Sequence, residues 1–238
     1  MTRLGVLGGM GPLATTDFLR KLIAVTPAET DPEHIPVIVY SVPQVPDRIA
    51  PILRGTGDSP LPAMTEGMRT LEDAGAQFIA IPCITAHHWY DDLVKAARVP
   101  IIHIADAVCT MLQVGAAGRI GLLATAATLH SGFFQRRLEG AGFDVLLPRE
   151  QDTKEFVLPA IACVKRYDMT GALPLAAQAV ERLLERGAQN VVLACSELPS
   201  ALEATDAEIS ERCVDTLEAL AKACVAWGLE QHLAETLR

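Results

Sequence analysis

Arg119-Ile120-Gly121-Leu122-Leu123 repeats Arg3-Leu4-Gly5-Val6-Leu7 at an offset of 116 residues, 119 less 3. The helix expected after each copy keeps that offset, with Phe134, Arg136, Arg137 and Leu138 answering Phe18, Arg20, Lys21 and Leu22. Farther on, Gly187-Ala188-Gln189 repeats Gly75-Ala76-Gln77 at an offset of 112, 187 less 75. One such match could be chance among glycine, alanine and aliphatic residues. Two matches in the same order at nearly the same offset point to an internal duplication. The period is too long for a solenoid repeat and implies two similar domains.

Each copy reads as α/β. Leu4–Leu7, Val37–Ser41, Phe78–Ile81 and Ile101–Ile104 are expected strands. Helices are expected near Ala14–Ala24, Leu61–Ala74 and Thr85–Ala97, with Val42–Gly57 as a loop rich in proline and glycine. The strands are apolar without polar alternation, which fits parallel sheets flanked by helices on both faces. The expected fold is two duplicated α/β domains related by a pseudo-two-fold, with the active site in the cleft between them. The domains are 1–107 plus 208–238, and 108–207. Asp206–Arg238 reads as a helical tail, with Cys213, Leu217, Leu220 and Cys224 at helical spacing, returning to the first domain's sheet.

Composition narrows the function classes. The chain has 238 residues, half of them hydrophobic, and a net charge of -9. That balance argues against nucleic acid, whose binding needs a basic face. No apolar run is long enough to span a bilayer. Arg3 followed by Leu4–Ala14 has the outline of a short signal peptide, but Gly8, Gly9, Gly11 and Pro12 interrupt it. A cytoplasmic protein is expected, without a membrane partner. The cysteines at 83, 109, 163, 195, 213 and 224 form no CxxC pair and read as reduced thiols.

Two of these cysteines hold matched positions. Phe78-Ile-Ala-Ile-Pro-Cys83-Ile-Thr-Ala-His-His88 is an apolar strand that ends on a cysteine, and Cys195 falls 112 residues after Cys83. Both lie just beyond carboxyl ends of strands, where parallel α/β sheets bind ligands. Two thiols facing one carbon centre suit its inversion, one as base and the other as acid. Each precedes an expected helix start, whose partial positive charge would favour thiolate. Gly8-Gly9-Met10-Gly11-Pro12 lacks the G-x-G-x-x-G spacing of a dinucleotide site and reads as a tight turn that lets backbone approach a small ligand. Cys83, His87 and Cys195 suggest no fourth metal ligand, so no metal is expected.

These motifs resemble the cofactor-independent aspartate/glutamate racemases. Gly8–Pro12 is similar to their opening motif, Pro46-Asp47-Arg48 to their substrate loop, Pro82-Cys83-Ile84-Thr85-Ala86-His87 to their first-cysteine motif, and Cys195-Ser196-Glu197-Leu198-Pro199 to their second. The resemblance covers nearly the whole chain. It implies a racemase of aspartate or glutamate that needs no cofactor, a homodimer, and Cys83 and Cys195 as the catalytic acid and base. It places Met10, Arg48, Thr85, Thr125, Lys165, Ser196 and Glu197 at the substrate and His87 in support. Arg48 and Lys165 would take carboxylates. Thr85, Ser196 and Thr125 would hold the α-carboxylate or amino group, or else cap helices. Glu197 would hold the amino group, tune Cys195, or serve as a first-turn carboxylate. Ile84 departs from the family's asparagine, which implies altered substrate choice or weakened activity. Ser196 replaces threonine and keeps the hydroxyl. The competing readings are a related hydantoin racemase, maleate isomerase or arylmalonate decarboxylase, and a weakened protein that only binds a small carboxylate.

Overall fold

The computed structural model describes residues 2–113 and 118–236, so the last two residues of the expected tail lie outside the described residues. The chain divides into two compact units, one running to Ala107 and resuming at Leu217, the other Val108–Thr216.

In the first unit β1 (Leu4–Gly8), β2 (Val37–Ser41), β3 (Phe78–Ala80) and β4 (Ile101–Ile102) form a parallel sheet in the order β2-β1-β3-β4. In the second, β5 (Arg119–Ala124), β6 (Asp144–Leu146), β7 (Asn190–Ala194) and β8 (Cys213–Asp215) repeat that order as β6-β5-β7-β8. The central strands β1 and β3 are buried along their whole length, as their unbroken apolar runs require.

The duplication extends to register. Leu4 pairs with Phe78 in one sheet and Ile120 with Asn190 in the other, which keeps the sequence offsets of 116 and 112. The Gln77 N–H donates to the Arg3 carbonyl at 2.8 Å, and the Gln189 N–H to the Arg119 carbonyl at the same distance. The preceding turns need glycine, with φ at 92° for Gly75 and 93° for Gly187. Phe18 and Phe134, answering each other in sequence, are both fully buried.

Several elements differ from expectation. The Val42–Gly57 loop contains a helix, Ile49–Arg54, too short to show periodicity. The fourth strand stops at Ile102, and a helix runs Ile104–Gln113 where 101–104 reads as continuous strand. The segment after Asp206 is not all helix. Ala207–Arg212 is helical, Cys213–Asp215 pairs with β7, and only then does the Thr216–Thr236 helix begin. The return to the first unit therefore comes at Leu217 instead of 208. The final helix packs there, its Trp227 ring 4.3 Å from that of Phe78. Cover also thins at the edge strand β2, where Val39 and Tyr40 are exposed. Among the described residues, no helix is long and apolar enough to cross a membrane.

Candidate active site

In the first unit, β1 delivers the glycine turn. The Gly9 N–H donates to Thr15 Oγ1 at 2.9 Å, and that hydroxyl donates to the Gly11 carbonyl at 3.0 Å. Gly9 has φ 91°, and a Cβ there would sit 2.3 Å from the backbone nitrogen of Val42. Only glycine permits this approach. The Met10 side chain is buried in the same apolar cluster as Cys83, Leu7 and Val45. The Met10 carbonyl accepts from Arg48 Nη2 at 3.3 Å. Arg48 Nη1 donates to the carbonyls of Pro46 at 3.2 Å and Val45 at 3.4 Å. Arg48, expected to take a carboxylate, thus ties its own loop to the glycine turn, while its Nε is enclosed without a partner.

Cys83 follows β3 and is buried. His87 Nδ1 lies 3.0 Å from the Cys83 carbonyl, and the Ile104 N–H donates to His87 Nε2 at 3.3 Å. Nε2 must then be the acceptor, so Nδ1 carries the proton and donates. His87 clamps the backbone of Cys83. His103 packs edge-on against it at 4.9 Å, a neighbour that no local motif signals. Thr85 is buried in a tight 3-10 turn, Thr85–Trp89, and does not cap it.

In the second unit, Cys195 follows β7 and is also buried. Its Sγ donates to Glu197 Oε2 at 3.0 Å, and Ser196 Oγ donates to the same oxygen at 3.3 Å. Burial pushes the Cys195 thiol well up, and the Glu197 charge and hydrogen bond push it farther. The Glu197 backbone N–H and the Lys165 ammonium oppose this in part. The expected thiolate-favouring helix start is not realised at Cys195. The helix after it, Leu198–Ala201, has four residues, too few for a substantial dipole, and Glu197 contributes the opposite sign. Ser196 does not cap that helix. Thr125 does cap one: its Oγ1 accepts from the Thr128 N–H at 3.2 Å. Lys165 lies in the last turn of Leu158–Lys165.

The sequence candidates thus gather on each unit by itself. Cys83, Met10, Arg48, Thr85 and His87 surround the ends of β1 and β3, and Thr125, Cys195, Ser196 and Glu197 the ends of β5 and β7, with Lys165 in electrostatic reach of Cys195. A cavity of about 270 Å³ touching Ile120, Asn190 and Cys213 lies at the other, amino end of the second sheet. Among the described residues no three His, Cys, Asp or Glu side chains gather as a metal site.

The model of the Asp/Glu/hydantoin racemase family matches residues 7–224. The chain belongs to that family. This racemase-family chain is 28% identical over 227 residues to the broad specificity amino-acid racemase RacX of Bacillus subtilis (strain 168), covering 94% of this chain and 96% of that one. It is similar in structure to the aspartate racemase of Picrophilus torridus, with a TM-score of 0.84, 28% identity, and coverage of 96% and 94% of the two chains. The glutamate racemase of Francisella tularensis subsp. tularensis SCHU S4, solved in complex with D-glutamate, shares the fold at a TM-score of 0.68 and 17% identity, over 98% of this chain and 82% of that one.

Proposed function

We propose that this chain is a cofactor-independent amino-acid racemase, with aspartate and glutamate as the first substrates to consider, in which Cys83 and Cys195 move the α-proton. The observation that carries this reading is that the two thiols hold one position in two copies of a sheet with the same strand order and register. One thiolate takes the proton from Cα, and the other thiol returns one to the opposite face. Cys195, pushed up by burial and Glu197, starts as the acid, and Cys83 is then the base. In the reverse direction Glu197 Oε2, 3.0 Å away, is placed to receive the Cys195 proton while Lys165 favours the resulting thiolate.

A second reading, a racemase of wider amino-acid range, has its own support. Ile84 sets a buried alkyl group directly after Cys83, where the family's asparagine would serve a carboxylate. The similarity to a broad specificity amino-acid racemase points the same way.

The test is α-proton exchange in deuterated water over a panel of L- and D-amino acids, with Cys83→Ala and Cys195→Ala beside the wild type. The wild type is expected to exchange and racemise at least one amino acid, and each variant to lose racemisation by at least about a thousand-fold. Tight ligand binding with no exchange on the whole panel would overturn the racemase reading. Racemisation at the wild-type rate by either variant would overturn the two-thiol assignment. Exchange of aspartate and glutamate alone supports the first reading, and exchange of apolar amino acids the second.

A further inference from the structure

Asp152 is an acidic side chain that the two-thiol reading leaves unused. It is only 8% exposed, and its Oδ2 is enclosed without a hydrogen-bond partner. Among the described residues three other enclosed side-chain atoms share that condition, Thr2 Oγ1, Arg48 Nε and Gln135 Oε1. An enclosed acceptor with no donor costs about 1–3 kcal/mol. Such a group calls for a physical reason, and a donor from outside the chain, whether water, ion or ligand, is one.

Its place in the fold indicates which donor. β6, β5 and β7 are parallel neighbours, so the chain leaves all three at one edge of the second sheet. Thr125 follows β5, Cys195 follows β7, and the Glu150–Asp152 turn follows β6. Neighbouring strands are spaced by about 4.8 Å, so β6 and β7, with one strand between them, lie roughly 10 Å apart. That is the span of a small amino acid together with its partners. Asp152 also opens directly into a π-helical turn, Thr153–Val157, of the kind found where side chains are redirected at functional sites. The following helix ends on Lys165, whose charge reaches Cys195.

An amino-acid substrate brings an ammonium group as well as carboxylates. Lys165 suits a carboxylate, and Glu197 Oε2 already receives both Cys195 and Ser196. Asp152 Oδ2 is an enclosed carboxylate oxygen still without a donor. We propose that Asp152 binds the α-ammonium of the substrate, an inference that rests on the racemase reading above.

Asp152→Asn and Asp152→Ala are compared with wild type by calorimetry, using L-aspartate against succinate and L-glutamate against glutarate. Each pair differs only by the amino group. Both variants are expected to weaken binding of whichever amino acid the wild type exchanges by about ten-fold or more, the scale of a lost charge-assisted hydrogen bond. The matching diacid should stay within about two-fold, and the apo melting temperature should hold within a few degrees. Equal weakening of both partners, unchanged affinity for the amino acid, or a melting temperature lowered by more than about 5 °C in both variants would each overturn the assignment. Failure of the wild type to exchange any amino acid of the panel would instead bring down the racemase reading, and this assignment with it; where only an apolar amino acid exchanges, that amino acid and its deamino acid form the pair compared. Wild-type exchange with an amine preference that survives both substitutions removes Asp152 alone.

Discussion

Cys195 and Glu197 make a contact that decides how one of the two thiols behaves. The S–H donates to Glu197 Oε2 at 3.0 Å, inside a buried pocket that already disfavours a thiolate. At the matched place after Cys83 stands Thr85, an uncharged group, so the duplicated sites differ in electrostatics although they agree in backbone. Glu197→Gln removes the charge and the accepting carboxylate together while keeping the shape. The Cys195 thiol is then expected to ionise at lower pH, because the causes that remain are burial, which raises it, and the backbone N–H of residue 197 and Lys165, which lower it. Alkylation of the Cys195 peptide by iodoacetamide, followed against pH by mass spectrometry, measures this. A midpoint that stays in place or rises would show that Glu197 does not hold the proton on sulfur. Arg48 is a second residue whose role needed its surroundings. As a loop arginine it reads as a carboxylate partner, yet it bonds the carbonyls of Val45, Pro46 and Met10.

At the scale of elements, the two halves obey one packing rule with different tolerances. Gly5 in β1 lies under the Leu61–Asp73 helix and its exit turn, which lead into β3, and Gly121 in β5 lies under the Met169–Glu185 helix, which leads into β7. A Cβ on Gly5 would meet the Cβ of Ala76 at 2.8 Å and that of Leu71 at 3.3 Å. A Cβ on Gly121 would meet Leu183 Cδ1 at 2.9 Å and Leu183 Cβ at 3.1 Å. The closest atom is rigidly attached to backbone in the first case and is the end of a flexible side chain in the second. Both alanine variants are expected to lose about 1–3 kcal/mol in urea denaturation, with Gly5→Ala losing more. A neutral Gly5→Ala, or the opposite order, would contradict this packing. Buried strands and long helices were legible here because their apolar residues recur locally. Ile49–Arg54 and β8 were not, since six and three residues hold too little periodicity to separate them from loop or helix.

For the whole molecule, buried thiols tie stability to alkaline pH. Burial raises the Cys224 thiol above its ordinary value of 9.0, and Cys213 is pushed up to about 12 by burial and Asp215. The sign follows from proton counting. Above pH 9 the unfolded chain releases the Cys224 proton and the folded chain keeps it, so stability present below pH 9 is lost as pH rises. Cys224→Ala lacks this titration. Relative to that variant, the wild type is expected to lose about 1 kcal/mol between pH 9 and pH 10, and less between pH 8 and pH 9, read from urea unfolding at those three values. A constant difference across that range would mean that the Cys224 thiol ionises as readily in the folded protein.

The sequence by itself determined the two-fold repetition of the α/β unit, the parallel strands, and the matched thiols, because repeated motifs and strand ends are written in neighbouring residues. Only the tertiary structure decided that Arg48 is occupied by backbone, that His87 clamps Cys83 through its carbonyl, that Glu197 turns toward sulfur, and that Asp152 keeps an oxygen enclosed and open. Those are questions of which polar group finds which partner. The answer depends on burial and on atoms as far apart as Met10 and Arg48, which no local pattern encodes.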